Sequence, residues 1–473
     1  MTRDSAQAGA ARPDAGRPVS EADWGRLEGS VTGRLLRPGE AGFDSSSAPY
    51  NRRFTRTAPA RVLAVADVAD VRRAVEWARE VGAPIVPRGG GHSYAGFSVN
   101  SGLVVDLRAL GTVTVDGSTG LVTAAGGALM ADVYAAIAPH GIAFALGNGA
   151  SVGIAGLALG GGSAATSRKL GLTADALVST TLVTADGQLL TCDAQRNPDL
   201  FWACRGGGGG NFGINTSFTF QASPVADAST FLLLWEGAHA HKVFAVLQEV
   251  MRQAPDELSI RLGINAAEGS GVTVSAIGLH LGPARELREL LDPVLSLARP
   301  FREDIADRGF REAMDYLLHE TSGGAFAVKT GFATEPLPPE AVAAALDLLE
   351  RRPASANPDG GGLALFGWGG AINRVDPAAT AFVHRNANYL VSLDTSWGEQ
   401  DSPATVEANL RWLAELRRTV APYLDEGSYL NFTDPDLTDW RAAYYGANYP
   451  RLLAVKQRVD PDRLFAFAQG IGS

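Results

Sequence analysis

The sequence predicts an α+β protein of two domains, and three observations support this fold class. The chain has 473 residues, which is enough for two or three domains. In its first half, short apolar strands alternate with a helix and with hairpins, and most of the glycine clusters lie there. Past Pro224 glycine becomes rarer, and alternating or helical apolar patterns take over. We therefore expect a glycine-rich α+β domain followed by a second domain with its own sheet.

A strand-helix-strand unit opens the first domain. Arg61 to Val65 is predicted as a strand, and Asp67 as the cap of a helix that ends at Gly82. A serine cap at Ser20 predicts an earlier helix, and a further helix is expected over 130–140. Hairpins are predicted around Asp116–Gly120 and Asp186–Gly187.

The second domain is predicted to hold a sheet flanked by helices. Helices are expected over 241–251, 284–297, 310–318, 339–351 and 405–420, and strands over 231–235, 363–368 and 389–394. The predicted divisions are a disordered tail at 1–19, the first domain at 20–225, the second at 226–430, and a return to the first domain at 431–473. Residues 356–362 read as a flexible loop and not as a ligand loop.

Charge and cysteine content exclude several functional classes. The net charge of −10 argues against nucleic-acid or anionic-membrane partners, because phosphate binding needs clustered Lys and Arg. No apolar run approaches the roughly 20 residues of a membrane span, and residues 1–19 lack the apolar core of a secretory signal. Cys192 and Cys204 form neither a disulfide framework nor a metal motif. We expect a cytoplasmic monomer or homodimer with free thiols and no metal.

The central stretch of the chain is the loop from Pro87 to Gly96. Gly89, Gly90 and Gly91 allow positive φ angles and a close approach of backbone N–H groups to a ligand. Arg88 adds a positive charge suited to a diphosphate. From the residues alone, the loop is either a ligand loop or a tight structural turn with an incidental histidine, His92.

A nicotinamide dinucleotide site is a competing interpretation of the glycine clusters. Its fingerprint needs a strand, G-x-G-x-x-G and an immediate helix, with an acid about 20 residues further on. Around Gly160–Gly162 the preceding stretch is itself interrupted by Gly147, Gly149 and Gly153. We therefore reject this interpretation.

Several segments in order resemble one flavoprotein family. They are Arg88-Gly89-Gly90-Gly91-His92, Gly153 to Gly162, Ser167 to Asp175, Trp202 to Ile214, and Asp460 to Phe465. Together they resemble the berberine-bridge-enzyme-like branch of the vanillyl-alcohol-oxidase superfamily, which has a PCMH-type FAD-binding domain and a substrate domain with an antiparallel sheet flanked by helices.

The resemblance implies FAD bound covalently through His92. Many relatives carry a second link from a cysteine, but the matching position here is Gly149, so one covalent bond is expected. The other implied cofactor-binding residues are Arg88, Gly89, Gly90, Gly91, Ser93, Gly149, Val152, Gly153, Gly156, Leu157, Gly161, Gly162, Thr166, Gly171, Asp175, Gly210, Asn211, Gly213, Ile214 and Asn431.

Tyr429 is the predicted catalytic residue. It lies in Ser428 to Phe432, which resembles the Tyr-x-Asn segment of the family, and it would take the hydroxyl proton during hydride removal. A free tyrosine has a pKa near 10, so the pocket would have to lower it. A core tyrosine in a strand is the alternative. Where relatives place a second acid or tyrosine before Gly369, this chain has Phe366 and Trp368, which weakens a sugar-oxidase interpretation.

The predicted pocket residues are Tyr316, His319, Trp368 and Tyr389, with His384 a further candidate. The resemblance implies an FAD-linked oxidase that dehydrogenates an alcohol or C–N bond of a small secondary metabolite and reduces O2 to H2O2. A flavin dehydrogenase, an oxidative cyclase, a sugar oxidase and a flavin-binding storage protein are the alternatives.

Overall fold

The computed structural model describes residues 18–225, 227–267, 271–318 and 324–473. The predicted disordered tail at 1–19 lies outside these ranges except for Pro18 and Val19. Val19 packs against the hydrophobic core that contains Trp24 and Val71. Ser20 caps helix α1 (Glu21–Ser30) as predicted, because its hydroxyl accepts a hydrogen bond from the Asp23 amide.

The first sheet contains the predicted strand-helix-strand unit. Its elements are β1 (Arg34–Leu36), α2 (Phe43–Ser47), β2 (Arg61–Ala64), α3 (Val68–Val81), β3 (Ile85–Arg88) and β4 (Leu103–Asp106). The strand order is β1-β2-β4-β3, with β4 parallel to both β2 and β3. Asp67 caps α3, and Gly82 ends it with a φ of 69°. Because β3 ends at Arg88, it leads directly into the glycine loop.

The second sheet is antiparallel and contains both predicted hairpins. This region comprises β5 (Val113–Asp116), β6 (Leu121–Ala125), α4 (Met130–Ile137), β7 (Ile142–Ala143), α5 (Ile154–Leu159), α6 (Ser167–Leu170), β8 (Leu177–Val183), β9 (Leu189–Asp193), α7 (Pro198–Ala203), β10 (Ile214–Gln221) and β11 (Ser223–Pro224). The order is β5-β6-β10-β8-β9, and β7 pairs separately with β11.

The third sheet has seven antiparallel strands in the order β15-β12-β14-β13-β17-β18-β16. Its region comprises β12 (Ala228–Glu236), α8 (Ala240–Gln253), β13 (Leu258–Ala267), β14 (Gly271–His280), α9 (Ala284–Leu297), β15 (Arg302–Arg308), α10 (Phe310–Leu317), β16 (Ala325–Ala333), α11 (Pro339–Glu350), β17 (Gly361–Gly367), β18 (Tyr389–Trp397) and α12 (Pro403–Val420). Apolar residues of α8, α9, α11 and α12 form one core with one face of this sheet.

The last helices, α13 (Trp440–Tyr445) and α14 (Tyr449–Val459), pack against the first half of the chain. Trp440, Tyr445 and Leu452 share a core with Phe201 and Phe212. The domain boundaries at 225/226 and 430/431 stay predictions. Within the described ranges, no helix combines the length and the apolar character needed to cross a membrane.

Candidate active site

A cavity of about 990 Å³ lies between the glycine loops of the first half and the face of the third sheet that its four helices leave open. Most of the predicted site residues line it. These are Gly89, Gly90, Gly91, His92, Ser93, Gly149, Val152, Gly153, Gly156, Leu157, Gly210, Asn211, Gly213, Tyr429, Asn431, Tyr316 and Trp368. Residues more than 300 positions apart therefore meet in one chamber.

Two glycine loops touch each other at Gly90 and Gly153. A Cβ atom on Gly90 would overlap the Gly153 amide, and a Cβ atom on Gly153 would overlap the Gly90 amide. Only glycine permits this approach, because any other residue would push the loops apart. The contact leaves a wall of exposed backbone along the cavity.

Arg88 lies behind this wall and does not line the cavity. Its Nη2 donates to the Ala48 carbonyl at 2.8 Å, while its buried Nε and Nη1 have no partner among the described residues. A Cβ on Gly91 would overlap the guanidinium. Burial lowers the pKa of Arg88 to about 10, so the group stays charged at neutral pH. Arg88 therefore places a positive charge beneath the loop, near the Asp106 carboxylate, and its contact with a diphosphate stays a prediction.

His92 is half-buried and is held from two sides. Its Nε2 lies 3.0 Å from the Ser151 hydroxyl, and its ring stacks on Tyr50 at 3.9 Å between centroids. Burial, with a smaller contribution from Arg88, lowers the pKa of His92 to about 4. The imidazole is therefore neutral at physiological pH, and one ring nitrogen keeps its lone pair.

Tyr429 is 1% exposed, and its phenol oxygen accepts two hydrogen bonds. The donors are the Ser163 amide at 2.9 Å and Asn431 Nδ2 at 3.3 Å. Burial raises the pKa of Tyr429 above its ordinary value, and these donors only partly oppose that effect. The expectation of a lowered pKa is therefore wrong for the protein without a bound ligand. Asn431 also donates to the Leu157 carbonyl at 3.0 Å, which joins the tyrosine segment to α5.

Eight predicted site residues lie outside the cavity lining: Arg88, Gly161, Gly162, Thr166, Gly171, Asp175, Ile214 and Tyr389. Gly161 and Gly162 have positive φ angles, and their carbonyls accept hydrogen bonds from the amides of Ala174 and Thr173. Gly171 also has a positive φ and ends α6, whose N-cap is Thr166. Ile214 is fully buried at the start of β10. These residues shape the fold around the site.

Asp175 and Tyr389 make specific bonds away from the cavity. The Asp175 carboxylate is bound by both terminal nitrogens of Arg385 at 2.7 Å each. Tyr389 donates to the Gln248 carbonyl at 2.7 Å within the core of the third sheet. Neither side chain is available to a cofactor or substrate in this arrangement.

The remaining predicted pocket residues differ in their position. The Tyr316 hydroxyl donates to Asp304 at 3.0 Å. The Trp368 ring lies 5.9 Å from that of Tyr429, edge to face. His384 is half-buried and stacks on Phe332, with a ring separation of 4.3 Å, and it is not part of the cavity lining. His319 lies outside the described residues.

The sequence analysis missed the polar residues on the open face of the third sheet. Arg261 of β13 and Asp394 of β18 both line the cavity, as do Tyr50 and Tyr94. The signal was a period-two pattern in β18, where Ser392, Asp394 and Ser396 alternate with the buried residues Val391, Leu393, Thr395 and Trp397, of which only Thr395 is polar. The predicted strand ended too early, at Asp394, and so hid the pattern. Asn357, Pro358 and Asp359 also line the cavity, contrary to the interpretation of 356–362 as a loop without a ligand role.

These residues fit FAD. The cofactor's diphosphate needs backbone N–H donors and positive charge, and the glycine wall lies directly in front of the partly unbonded Arg88 guanidinium. The flavin ring needs a flat space beside a nucleophile and a polar group. His92, from the first half of the chain, and Tyr429, from the second half, both border the cavity.

Comparisons with known proteins agree with this fit. Residues 59–193 match the model of the FAD binding domain family, and residues 428–472 match that of the family described as berberine and berberine like. The chain is 34% identical to the uncharacterized FAD-linked oxidoreductase YgaK of Bacillus subtilis, over 93% of this chain and 97% of that protein. It is 30% identical to a xylooligosaccharide oxidase of Thermothelomyces thermophilus, over 91% and 90% of the two chains. The solved structure of Physcomitrella patens BBE-like 1 superposes with a TM-score of 0.87 at 29% identity, over 94% and 98% of the chains.

Proposed function

Because the chain belongs to the berberine-bridge-enzyme-like family of FAD-linked oxidoreductases, we propose that it is an oxidase that holds FAD through a single covalent bond to His92. In the proposed reaction an alcohol or amine carbon of a small metabolite loses a hydride and its O–H or N–H group loses a proton. O2 takes up the two electrons and two protons as H2O2. FAD, when bound, is the hydride acceptor.

His92 supplies the nucleophilic nitrogen for the covalent bond. The ring is neutral because its pKa is lowered to about 4, and a neutral imidazole has the lone pair that bond formation needs. With Nε2 next to the Ser151 hydroxyl, Nδ1 is the nitrogen left without a bond. The two cysteines are 0% and 1% exposed, and burial raises the pKa of each thiol to about 12, which disfavours a cysteinyl link.

Tyr429 would receive the substrate proton as a phenolate, and because burial raises its pKa in the protein alone, this role requires that the flavin and substrate, when bound, lower that pKa. The observation that carries this role is the pair of N–H donors at its oxygen, from Ser163 and Asn431, which would stabilise the phenolate form needed of a base. Trp368 and Phe432 pack edge to face against the ring at 5.9 and 5.1 Å and fix its orientation.

Access of O2 is favoured by Gly147 and Gly149, which line the cavity without side chains. A Cβ on Gly147 would make ordinary contacts with the Leu157 methyl groups at 3.6 Å and the Ser163 carbonyl at 4.0 Å, whereas one on Gly149 would overlap a Val152 methyl group, so the available space is that of one absent methyl group at Gly147. This space supports an oxidase over a flavin dehydrogenase.

A carbohydrate substrate is the second candidate. The 30% identical relative is named a xylooligosaccharide oxidase, and the serine, aspartate and asparagine side chains on the open sheet face are suited to hydroxyl groups. Reduction of the flavin by sugars and not by alcohols or amines would establish it.

Two measurements test the proposal. The protein should stay yellow after acid precipitation, with one flavinylated peptide that contains His92; a flavinylated peptide with Cys192 or Cys204, or none, would contradict the covalent link. Alcohols, sugars and amines are then screened for anaerobic bleaching of the flavin. After a bleaching substrate, reoxidation in air should be much faster than that of free reduced flavin, and an equal rate would favour the dehydrogenase.

A further inference from the structure

Two residues of opposite charge, Arg261 and Asp394, lie on the open face of the third sheet, and Arg261 belongs to the row of residues nearer to Tyr429. Arg261 pairs in register with Phe366, and Phe366 pairs with Leu390. This row lies near the reaction centre, because Phe366 contacts Phe432 at 5.9 Å and Phe432 contacts Tyr429 at 5.1 Å. Asp394 lies four residues beyond Leu390 on β18, so its Cα is roughly 13 Å from that row along the strand, while the charged groups of Arg261 and Asp394 are near enough that each opposes the shift that burial causes in the pKa of the other.

Small residues of the middle strand β17 lie between Arg261 and Asp394. Gly362 pairs with Asn265 on one side and with Asp394 on the other. Ala364 pairs in the same way with Gly263 and Ser392. The middle strand therefore contributes little side-chain bulk between Phe366 and Asp394, and the Asn265 side chain covers Gly362, where a Cβ would overlap its Oδ1. Ser392 and Ser396 flank Asp394 on the same face and line the cavity with it.

Neither charged group is bonded to another residue that the structure describes. In the ranges that the structure describes, the Asp394 carboxylate and the Arg261 guanidinium have no hydrogen bond or ion pair, and Arg261 only lies over the Phe366 ring at 5.5 Å. A charge that faces a cavity without a partner is costly unless water or a ligand solvates it. Burial accordingly raises the pKa of Asp394 to about 6, although Arg261 and Arg352 oppose this effect and Asp359 adds to it.

We propose that the substrate is an elongated dipolar molecule, with an oxygen acceptor that binds Arg261 near the oxidised carbon and a protonated amine that binds Asp394 at the far end. Asp359, which lines the same end, adds a second negative charge. Tyr94 and Phe326 stand edge to face at 4.9 Å in the cavity lining and supply an apolar middle section. This assignment rests on the proposed function, since it specifies the substrate of the same site.

Binding of redox-inert probes tests the assignment independently of turnover. Biphenyl-4-carboxylate, its 4′-aminomethyl derivative and its 4′-carboxy derivative are titrated into the purified flavoprotein by calorimetry. The aminomethyl probe should bind at least about tenfold more tightly than the unsubstituted probe, the usual scale for a hydrogen bond between charged groups. The dicarboxylate should bind most weakly.

Variants identify the groups responsible. D394N should abolish the preference for the aminomethyl probe, and R261M should weaken all three carboxylate probes. E399Q changes an exposed acid outside the cavity lining and should leave every affinity unchanged. Equal binding of the probes to the wild-type protein, or an amine preference that survives in D394N, would overturn the assignment. Failure of the flavin to be reduced or reoxidised would concern only the proposed function, because no probe is oxidised.

Discussion

Arg385 and Asp175 form a bidentate ion pair that joins the two halves of the molecule across 210 residues of sequence, with both N–O distances at 2.7 Å. The Arg385 side chain is fully buried, and that of Asp175 is 11% exposed. Arg385 also donates to the Thr380 hydroxyl and to the Ile372 carbonyl. The pair therefore fixes the segment before β18 to the FAD-binding region.

Breaking this pair should destabilise the protein strongly. D175N leaves the buried guanidinium without its counter-charge, and the expected loss is about 3–5 kcal/mol of unfolding free energy. The measurement is the denaturant midpoint of the flavoprotein. R411A, which removes the exposed Arg411–Glu407 pair, should cost less than about 1 kcal/mol. A similar effect of both variants would show that the buried pair has no special role.

Replacement of Tyr429 by Phe separates catalysis from packing. The variant keeps the buried ring and removes the proton acceptor, so the limiting rate of anaerobic flavin reduction should fall roughly 100-fold with normal FAD content. Y444F is the matched control, because Tyr444 is also buried and accepts a hydrogen bond from the Asp434 amide at 2.9 Å, outside the cavity lining. It should cost about 1 kcal/mol of stability without affecting the rate. Equal limiting rates for Y429F and the wild type would assign proton removal to another group.

Asp394 should make stability depend on pH. Because its pKa is raised to about 6 in the folded state, the neutral carboxyl favours folding at low pH, and this contribution is lost as pH rises through 6. D394N should therefore match the wild type near pH 4 and exceed its unfolding free energy by roughly 1–3 kcal/mol near pH 8. Chemical denaturation at the two pH values measures this. The exposed substitution D462N should give no such divergence, and a pH-independent difference for D394N would contradict the raised pKa.

Lys456 is the buried cation that secures the C-terminal segment. Its Nζ donates to Asp460 Oδ2 and to the Asn211 carbonyl at 2.6 Å each, and to the Phe465 carbonyl at 2.7 Å. K456M leaves the buried Asp460 carboxylate without its cation and should cost about 3–5 kcal/mol of unfolding free energy. In an H92A background, which removes the proposed covalent link, K456M should also lower FAD retention on a desalting column, because Asn211 lines the cavity. A K456M midpoint within about 1 kcal/mol of the wild type would be incompatible with this role.

Local patterns predicted the fold well where the signal was contained in a short window. Asp67 and Gly82 set the limits of α3, and the 284–297 periodicity predicted α9 without error. The register of the third sheet could not be predicted in this way, because it depends on pairings such as Gly362 with Asp394 that join distant segments.

Most of the predicted site residues in the glycine loops line the cavity, whereas the predicted charged residues Arg88 and Asp175 lie outside its lining. His92 and Tyr429 line the cavity as expected, whereas Asp175 turned inward to Arg385. A motif gives the position of a carboxylate in the chain but not its partner, and Arg385 belongs to a distant segment. Asp394 was missed for a different reason, since the predicted strand ended at Asp394 and the alternation that continues to Ser396 was not recognised.

The return of residues 428–472 to the FAD-binding region has a consequence for synthesis of the protein. Tyr429 and Asn431 border the cavity, and Lys456 bonds the carbonyl of Asn211. During translation, the glycine loops emerge from the ribosome long before these partners. The cofactor site is therefore incomplete while the whole third sheet is translated. The cavity is complete only after the last helices have left the exit tunnel.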